Sequence, residues 1–173
     1  MKHLVIDNFF EDPISIREIA LNASYYTKES HPGDIAQFPG HRTDYINNWN
    51  KELYNYLLTR QLDCVKHLID ISQYTEYWTK FSFSWTDKSI PRIEHVDFDD
   101  NWNEFKVFYG GVVYLNPAPP KETGTILTDV TIVENKFNRY VMYDATKRHA
   151  IENSFGETLE DSRLVLTHFI YLK

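Results

Sequence analysis

Lys80-Phe81-Ser82-Phe83-Ser84-Trp85 decides the fold class of this chain, because apolar residues recur there at every second position. That period marks a half-buried strand, with Phe81, Phe83 and Trp85 on one face and Lys80, Ser82 and Ser84 on the other. Downstream, further strand-like runs are Arg92 to Phe98, Phe105 to Leu115, Ile126 to Val133, Tyr140 to Tyr143, His149 to Ser154 and Arg163 to Leu172. Short strands separated by turn residues imply an antiparallel sandwich or barrel. Upstream, the period lengthens. Asp12-Pro13 is a helix start, an acidic cap followed by proline at the first helical position. From Ile14 to Ala23, Ile16, Ile19, Ala20 and Ala23 then share one face. A second helical region spans Trp49 to Ile69, with Leu53, Tyr56, Leu57, Val65, Leu68 and Ile69 as its buried positions. Leu62 and Cys64 leave that stripe, so a break is expected near Thr59. Val5-Ile6 reads as a short opening strand. Thr27 to Asn48 carries Pro32-Gly33 and Pro39-Gly40 and reads as a structured loop. The expectation is one domain over residues 1–173, mainly β with N-terminal helices. Helical support covers Asp12 to Asp70, and a β core covers Tyr74 to Lys173.

Bulk properties narrow the function. A chain of 173 residues is long enough for one sizeable core. Its net charge of −7 argues against a large nucleic-acid footprint, which needs a basic face. Cys64 stands alone, so no internal disulfide can form and a reducing interior fits. The N-terminus reaches acidic residues too early for a secretory signal. The apolar run Leu164 to Leu172 is strand-length and far short of a membrane span. A cytoplasmic protein with no membrane partner is expected. The 12 Tyr, 11 Phe and 4 Trp fit a β-rich core, with an aromatic-lined groove as the alternative.

Chemistry-bearing residues fall on these strands. His95 and Asp97 are two apart, so both side chains project from the same face. Two histidines and one carboxylate are the ligand set of a non-haem Fe(II) site with open coordination positions. His149, opening a later strand, supplies the second histidine. Asp99 and Asp100 compete for the carboxylate role, but Asp97 has the better strand geometry. His168 competes with His149. Parity on the last strand puts Arg163, Val165, Thr167 and Phe169 on one face and turns His168 to the other. Arg163 heads an otherwise apolar strand, and a buried guanidinium requires an anionic partner. Its planar fork suits a carboxylate. Arg139 is a rival, although Asn138 beside it points to a turn. Tyr114, in the Gly110-Gly111-Val112-Val113-Tyr114 run, either packs in the core or completes a carboxylate pocket with Arg163. The glycine pair permits a bulge or a close backbone approach.

Taken together, His95-Val96-Asp97, VVYLNP (112–117), ETGTIL (122–127), NRYVMYDAT (138–146), RHAIENSFGET (148–158) and RLVLTHFIYL (163–172) resemble the Fe(II)/2-oxoglutarate-dependent oxygenases, in the prolyl-hydroxylase-like branch. VIDNFFEDPISIREIALN (5–22) and FPGHRT (38–43) look like a small group of such proteins. The resemblance departs from the pattern at Thr123-Gly124, where Gly-Gly is usual, and in a longer gap between His149 and Arg163, with Glu157 to Ser162 as the extra loop. It implies a double-stranded β-helix, or jelly-roll, and His95, Asp97 and His149 as iron ligands. Arg163 would anchor the distal carboxylate of 2-oxoglutarate, with Tyr114 as a second donor. The cofactor set implied is Fe(II), 2-oxoglutarate and O₂. The activity implied is C–H hydroxylation of a peptidyl or small-molecule substrate, with release of succinate and CO₂. Substrate contacts would come from His31 to Asn47, including Arg42, from Asn116 to Gly124, and from Trp102 and Trp85, with core packing an equal reading for Trp85. The rival classes are an inactive cupin-like ligand-binding module, an interaction protein, and a metal oxygenase that ignores 2-oxoglutarate.

Overall fold

The computed structural model describes residues 3–31, 38–97, 107–127 and 130–173. Its strands are β1 (His3–Ile6), β2 (His41–Arg42), β3 (Tyr77–Thr86), β4 (Val107–Tyr114), β5 (Thr125–Leu127), β6 (Ile132–Val133), β7 (Tyr140–Asp144), β8 (His149–Ile151) and β9 (Arg163–Leu172). The helices are α1 (Pro13–Leu21), α2 (Ile46–Trp49) and α3 (Lys51–Val65). Six strands form one antiparallel sheet in the order β1-β7-β4-β9-β3-β2, and three form a second in the order β6-β5-β8. The fold is therefore mainly β, as the period-two pattern requires. No helix among the described residues is long and apolar enough to cross a membrane.

The two faces of the large sheet carry different work. Phe81 and Phe83 of β3, Val113 of β4, Tyr140 and Met142 of β7, and Leu164, Leu166, Ile170 and Leu172 of β9 pack against Ile16, Ala20, Leu53, Leu57 and Val65 of the helices. Each such side chain contributes about 1.5–3 kcal/mol by leaving water. The alternate residues Val112, Tyr114, Val141, Tyr143 and Val165 face the small sheet and meet Leu127 and Val133. Strand parity thus sorts one set of residues into helix support and the other into the space between the sheets.

Local chemistry accounts for the helix ends. The Asp12 carboxylate accepts from Ser15 N at 3.0 Å, and Pro13 opens α1 as expected. The second helical region is one helix, α3, and the short α2 before it falls in the stretch expected to be a loop. The Asn50 side chain caps α3 by accepting from Leu53 N at 3.0 Å. No break occurs at Thr59, whose hydroxyl donates back to Asn55 O and stays compatible with the helix. The run Arg92 to Phe98 forms no named strand among its described residues; it makes only a bridge, His95 with His149. The run Ile126 to Val133 divides into β5 and β6, and Val130 between them has φ of 62°. Trp85 does not line a groove. It stands on the helix side of β3 and stacks on His41, rings 3.9 Å apart and 2° from parallel. Trp102, Asp99 and Asp100 lie outside the described residues.

The glycine pair serves the close approach that its sequence permits. A Cβ on Gly111 would run into the Val141 carbonyl and the His168 ring, so this glycine seats His168. His168 is fully buried on the helix side, stacked on Tyr140 at 4.8 Å, and its Nε2 donates to Val141 O at 3.2 Å. Parity therefore disposes of it as expected. Burial outweighs that hydrogen bond and lowers its pKa to about 4.

A pH dependence follows. Above the unfolded value of 6.5, His168 is neutral in both states. Between 6.5 and 4 only the unfolded chain takes the proton, so stability falls as pH falls. At about 1.4 kcal/mol per pKa unit, the loss from pH 7 to pH 4.5 is about 2–3 kcal/mol. His95 has a raised pKa and contributes with the opposite sign, its stabilisation being lost as pH rises. Urea unfolding of wild type and His168→Asn at both pH values isolates the buried group: the variant should lose less stability on acidification.

Candidate metal centre

His95 and Asp97 reach the space between the sheets because their segment is laced to β8 and to the turn before it. His95 N–H donates to the His149 carbonyl at 3.0 Å, His149 N–H returns to the His95 carbonyl at 2.9 Å, and Asp97 N–H donates to Ala145 O at 3.0 Å. The turn is itself held by Asp144, whose carboxylate accepts from Thr146 N at 3.0 Å and Thr146 Oγ1 at 2.6 Å. Val96, between the two candidate ligands, points outward and is exposed. The two-residue alternation thus survives although the segment makes only one bridge. Gly110 of β4 leaves room for the carboxylate: a Cβ there would lie 3.2 Å from Asp97 Oδ2.

The three side chains converge. Asp97 Oδ2 is 3.1 Å from His149 Nε2, and Asp97 Oδ1 is 3.5 Å from His95 Nε2. One donor atom from each residue lies within 4.8 Å of the others. Both rings are oriented from behind. His95 Nδ1 is 3.1 Å from Ile93 O, and His149 Nδ1 is 2.9 Å from Lys147 O. A carbonyl can only accept, so each Nδ1 carries the proton and each Nε2 presents a lone pair towards the carboxylate. Three acceptors facing one another need a cation between them. In the metal-free protein a proton can serve: the hydrogen bond to Asp97 raises the His95 pKa. Burial pushes the Asp97 carboxyl up, but His149 and His95 beside it, wherever protonated, outweigh burial and bring it down to about 2. A divalent metal satisfies the same three lone pairs, and the donor set of two imidazoles and a carboxylate suits Fe(II). The residues fit such an ion. His149 is 4 % exposed and His95 38 %, so the site opens to solvent on the His95 side.

Arg163 lies at the start of β9 on the inward face and is 3 % exposed. Its Nε donates to Thr123 O at 3.3 Å, and its guanidinium lies 5.4 Å from the centre of the Tyr114 ring. No carboxylate among the described residues pairs with it. Burial lowers its pKa, opposed by Tyr114 and Tyr143. Its backbone is set by Asn116, whose side chain donates to Ser162 O at 2.7 Å and accepts from Leu164 N at 2.8 Å, bracketing Arg163 on both sides. The Tyr114 hydroxyl meets Thr125 Oγ1 at 2.6 Å and donates to Val133 O at 3.3 Å, tying the large sheet to the small one. The rival Arg139 is engaged at the surface with Asp7, at 2.6 Å, and takes no part in the site.

Two contributors escape a reading of motifs. Tyr143 of β7 is buried with its ring 4.5 Å from the His149 ring, and it lies within electrostatic reach of both Asp97 and Arg163. Its inward parity on β7 is the available signal. Asn116 is visible in the sequence as part of VVYLNP, but its bracketing of Arg163 depends on β4 lying beside β9.

No protein-family model matches this chain, and no curated protein matches it in sequence. Solved structures do match. The viral collagen prolyl hydroxylase vCPH from Paramecium Bursaria Chlorella virus-1 aligns with a TM-score of 0.64 at 13% identity, covering 99% of this chain and 90% of that one. HygX from Streptomyces hygroscopicus, solved with nickel and 2-oxoglutarate bound, aligns with a TM-score of 0.70 at 14% identity over 98% of this chain and 82% of its own. A Pseudomonas putida prolyl-4-hydroxylase gives 0.60 at 13% identity over 99% and 91%. At this identity the likeness establishes the fold: the chain shares its architecture with prolyl hydroxylases and with HygX.

The metal site is directly testable. Co(II) titrated into the apoprotein should bind at one site per chain and raise the melting temperature. Asp97→Ala should weaken binding by more than the roughly 10–100-fold expected for an outer hydrogen-bonding partner. Equal affinity in the variant would place the metal elsewhere.

Proposed function

We propose that this chain is an Fe(II)- and 2-oxoglutarate-dependent oxygenase that hydroxylates a C–H bond of a peptidyl or small-molecule substrate. Residues 1–173 act in this reading as one catalytic domain, with the two sheets as a double-stranded β-helix. One observation carries it: His95, Asp97 and His149 converge with their lone pairs inward, in the same inter-sheet space as a buried arginine that has no acidic partner among the described residues. The fold shared with HygX, which was solved with 2-oxoglutarate, supports it.

When bound, Fe(II) with 2-oxoglutarate and O₂ supplies oxidative decarboxylation coupled to C–H hydroxylation, with succinate and CO₂ as the other products. The protein's part is placement. His95, Asp97 and His149 hold the metal from one side and leave the other open. Arg163 takes the distal carboxylate through its planar fork, with the Tyr114 hydroxyl as second donor. Tyr143, buried against the His149 ring and within electrostatic reach of Asp97 and Arg163, lines the space between the sheets. Val165, Val141 and Leu127 keep its walls dry, which strengthens each polar contact inside.

Anaerobic addition of Fe(II) and 2-oxoglutarate should produce the visible charge-transfer band of the chelate. The band should vanish in His149→Ala. In Arg163→Ala, 2-oxoglutarate should bind at least about tenfold more weakly, the size of one lost charge-assisted contact. Asn116→Ala should weaken it in the same direction by misplacing Arg163, while leaving metal affinity unchanged. A folded, metal-loaded protein with no band would overturn the co-substrate assignment.

A further inference from the structure

The small sheet has an outer face that the metal centre leaves unused. Parity defines it. His95 and His149 are bridge partners and turn inward to Asp97, so Glu94, Val96, Arg148 and Ala150 turn outward. Ile126 is the register partner of both Ala150 and Ile132, which places all three on that outer face. A hollow of about 140 Å³ lies there, and Arg92, Glu94, Ile126, Val130, Arg148 and Ala150 are among the residues lining it. Both arginines are exposed. Among the described residues neither has a hydrogen-bond or ion-pair partner, and Glu94 pairs with neither of them.

The surroundings of the hollow are apolar. Nine large apolar side chains are exposed among the described residues. Four of them, Ile93, Val96, Val130 and Ile132, belong to the small sheet, its β5–β6 turn or the segment bridged to β8. Single exposed apolar residues are ordinary, but a group of them beside two unpaired guanidiniums marks an interaction surface. Val130 is 91 % exposed and has φ of 62°. A β-branched residue disfavours that left-handed backbone, so the turn carries strain while it presents an aliphatic side chain to water. The hollow selects what covers this face. It is smaller than the roughly 300–1,000 Å³ of a small-molecule pocket, so it admits one side chain of a larger partner. Two guanidinium forks suit a carboxylate. No Phe, Tyr or Trp lines the hollow, so it offers nucleic-acid bases nothing to stack on.

We infer that this outer face is a docking surface for an acidic, aliphatic segment of another polypeptide. A carboxylate of the partner enters the hollow and meets Arg92 and Arg148, and aliphatic side chains cover Val130 and Ile132. In an extended segment residues two apart face the same way, so an acid and an aliphatic residue at that spacing reach the surface together. The inference does not rest on the oxygenase reading, since it uses the arginines and their apolar surroundings alone. Its place in the fold gives it a consequence for the metal centre. Arg148 adjoins His149, and Arg92 and Glu94 precede His95 in the segment that one bridge holds to β8, so a docked partner braces that segment from behind.

The test is an amide-shift titration of the full ¹⁵N-labelled chain with three synthetic hexapeptides. The first has two glutamates, two leucines and two glutamates in that order; the second replaces glutamate by lysine, and the third replaces leucine by serine. The first peptide should move the amides of Ile126, Val130, Ile132, Arg148 and Ala150 and bind more tightly than the other two. Arg148→Glu should weaken it about tenfold, the size of one lost charge-assisted contact, and Arg92→Glu should act in the same direction. Both side chains are exposed, so the variants should fold. Val130→Asn should also weaken binding without lowering the melting temperature, because asparagine tolerates the left-handed backbone. Equal response to the three peptides, shifts confined to other surfaces, or unchanged binding in both arginine variants would overturn the inference. Self-association of the chain that Arg148→Glu abolishes would overturn it too, by assigning the face to a second copy. The charge-transfer band is read on a separate aliquot, so failure of docking and failure of the oxygenase reading are distinguishable.

Discussion

Two backbone hydrogen bonds between His95 and His149 are the constraint on which the rest of the site depends. They join a segment, whose described residues make no other strand pairing, to the edge of the small sheet. Register is thereby set: with His95 opposite His149, Asp97 falls beside the Ala145 carbonyl and its carboxylate lands between the two rings. A slip of one residue would turn both His95 and Asp97 outward and bring Val96 in. The convergence of three acceptors is electrostatically unfavourable by itself, and the backbone bonds, the Asp144 turn and the carbonyls behind each imidazole hold it. That is how a protein pre-forms a cation site before the cation arrives.

Strand β9 shows how one ten-residue run serves two purposes. Its even-numbered residues build the support: Leu164, Leu166, Ile170 and Leu172 join the helices, and His168 fills the slot that Gly111 leaves. Its odd-numbered residues furnish the inter-sheet space, from Arg163 at one end to Phe169 and Tyr171 at the other. The helices give the large sheet a dry back face, which lets polar and charged groups stand on its front without dissolving the core.

Much of this was legible because strands have a period of two. The pairing of His95 with Asp97 on one face and the separation of Arg163 and His168 onto opposite faces follow from counting along the chain. Asp12-Pro13 announced α1 through cap chemistry that is local to four residues. Other features were illegible for equally physical reasons. The break expected near Thr59 does not occur, because a threonine hydroxyl can bond within the helix, while α3 begins at Asn50, whose side chain replaces the missing first-turn partner. The run Arg92 to Phe98 looked like a strand, yet its described part makes one bridge, since pairing depends on which neighbour it meets. Trp85 looked available to a groove but stacks on His41, a partner far away in sequence.

By itself the sequence determined the fold class, the face each strand residue takes, and the residue types able to hold a metal and a carboxylate. These are local properties, set by backbone geometry over two to four residues and by side-chain chemistry. Only the tertiary structure decided which of them meet. The Tyr143 ring meets the His149 ring and Asn116 brackets Arg163 because β7 and β4 take particular places in the large sheet. Strand order and register are settled by the burial of both faces at once, a sum over the whole chain that no short stretch of it contains.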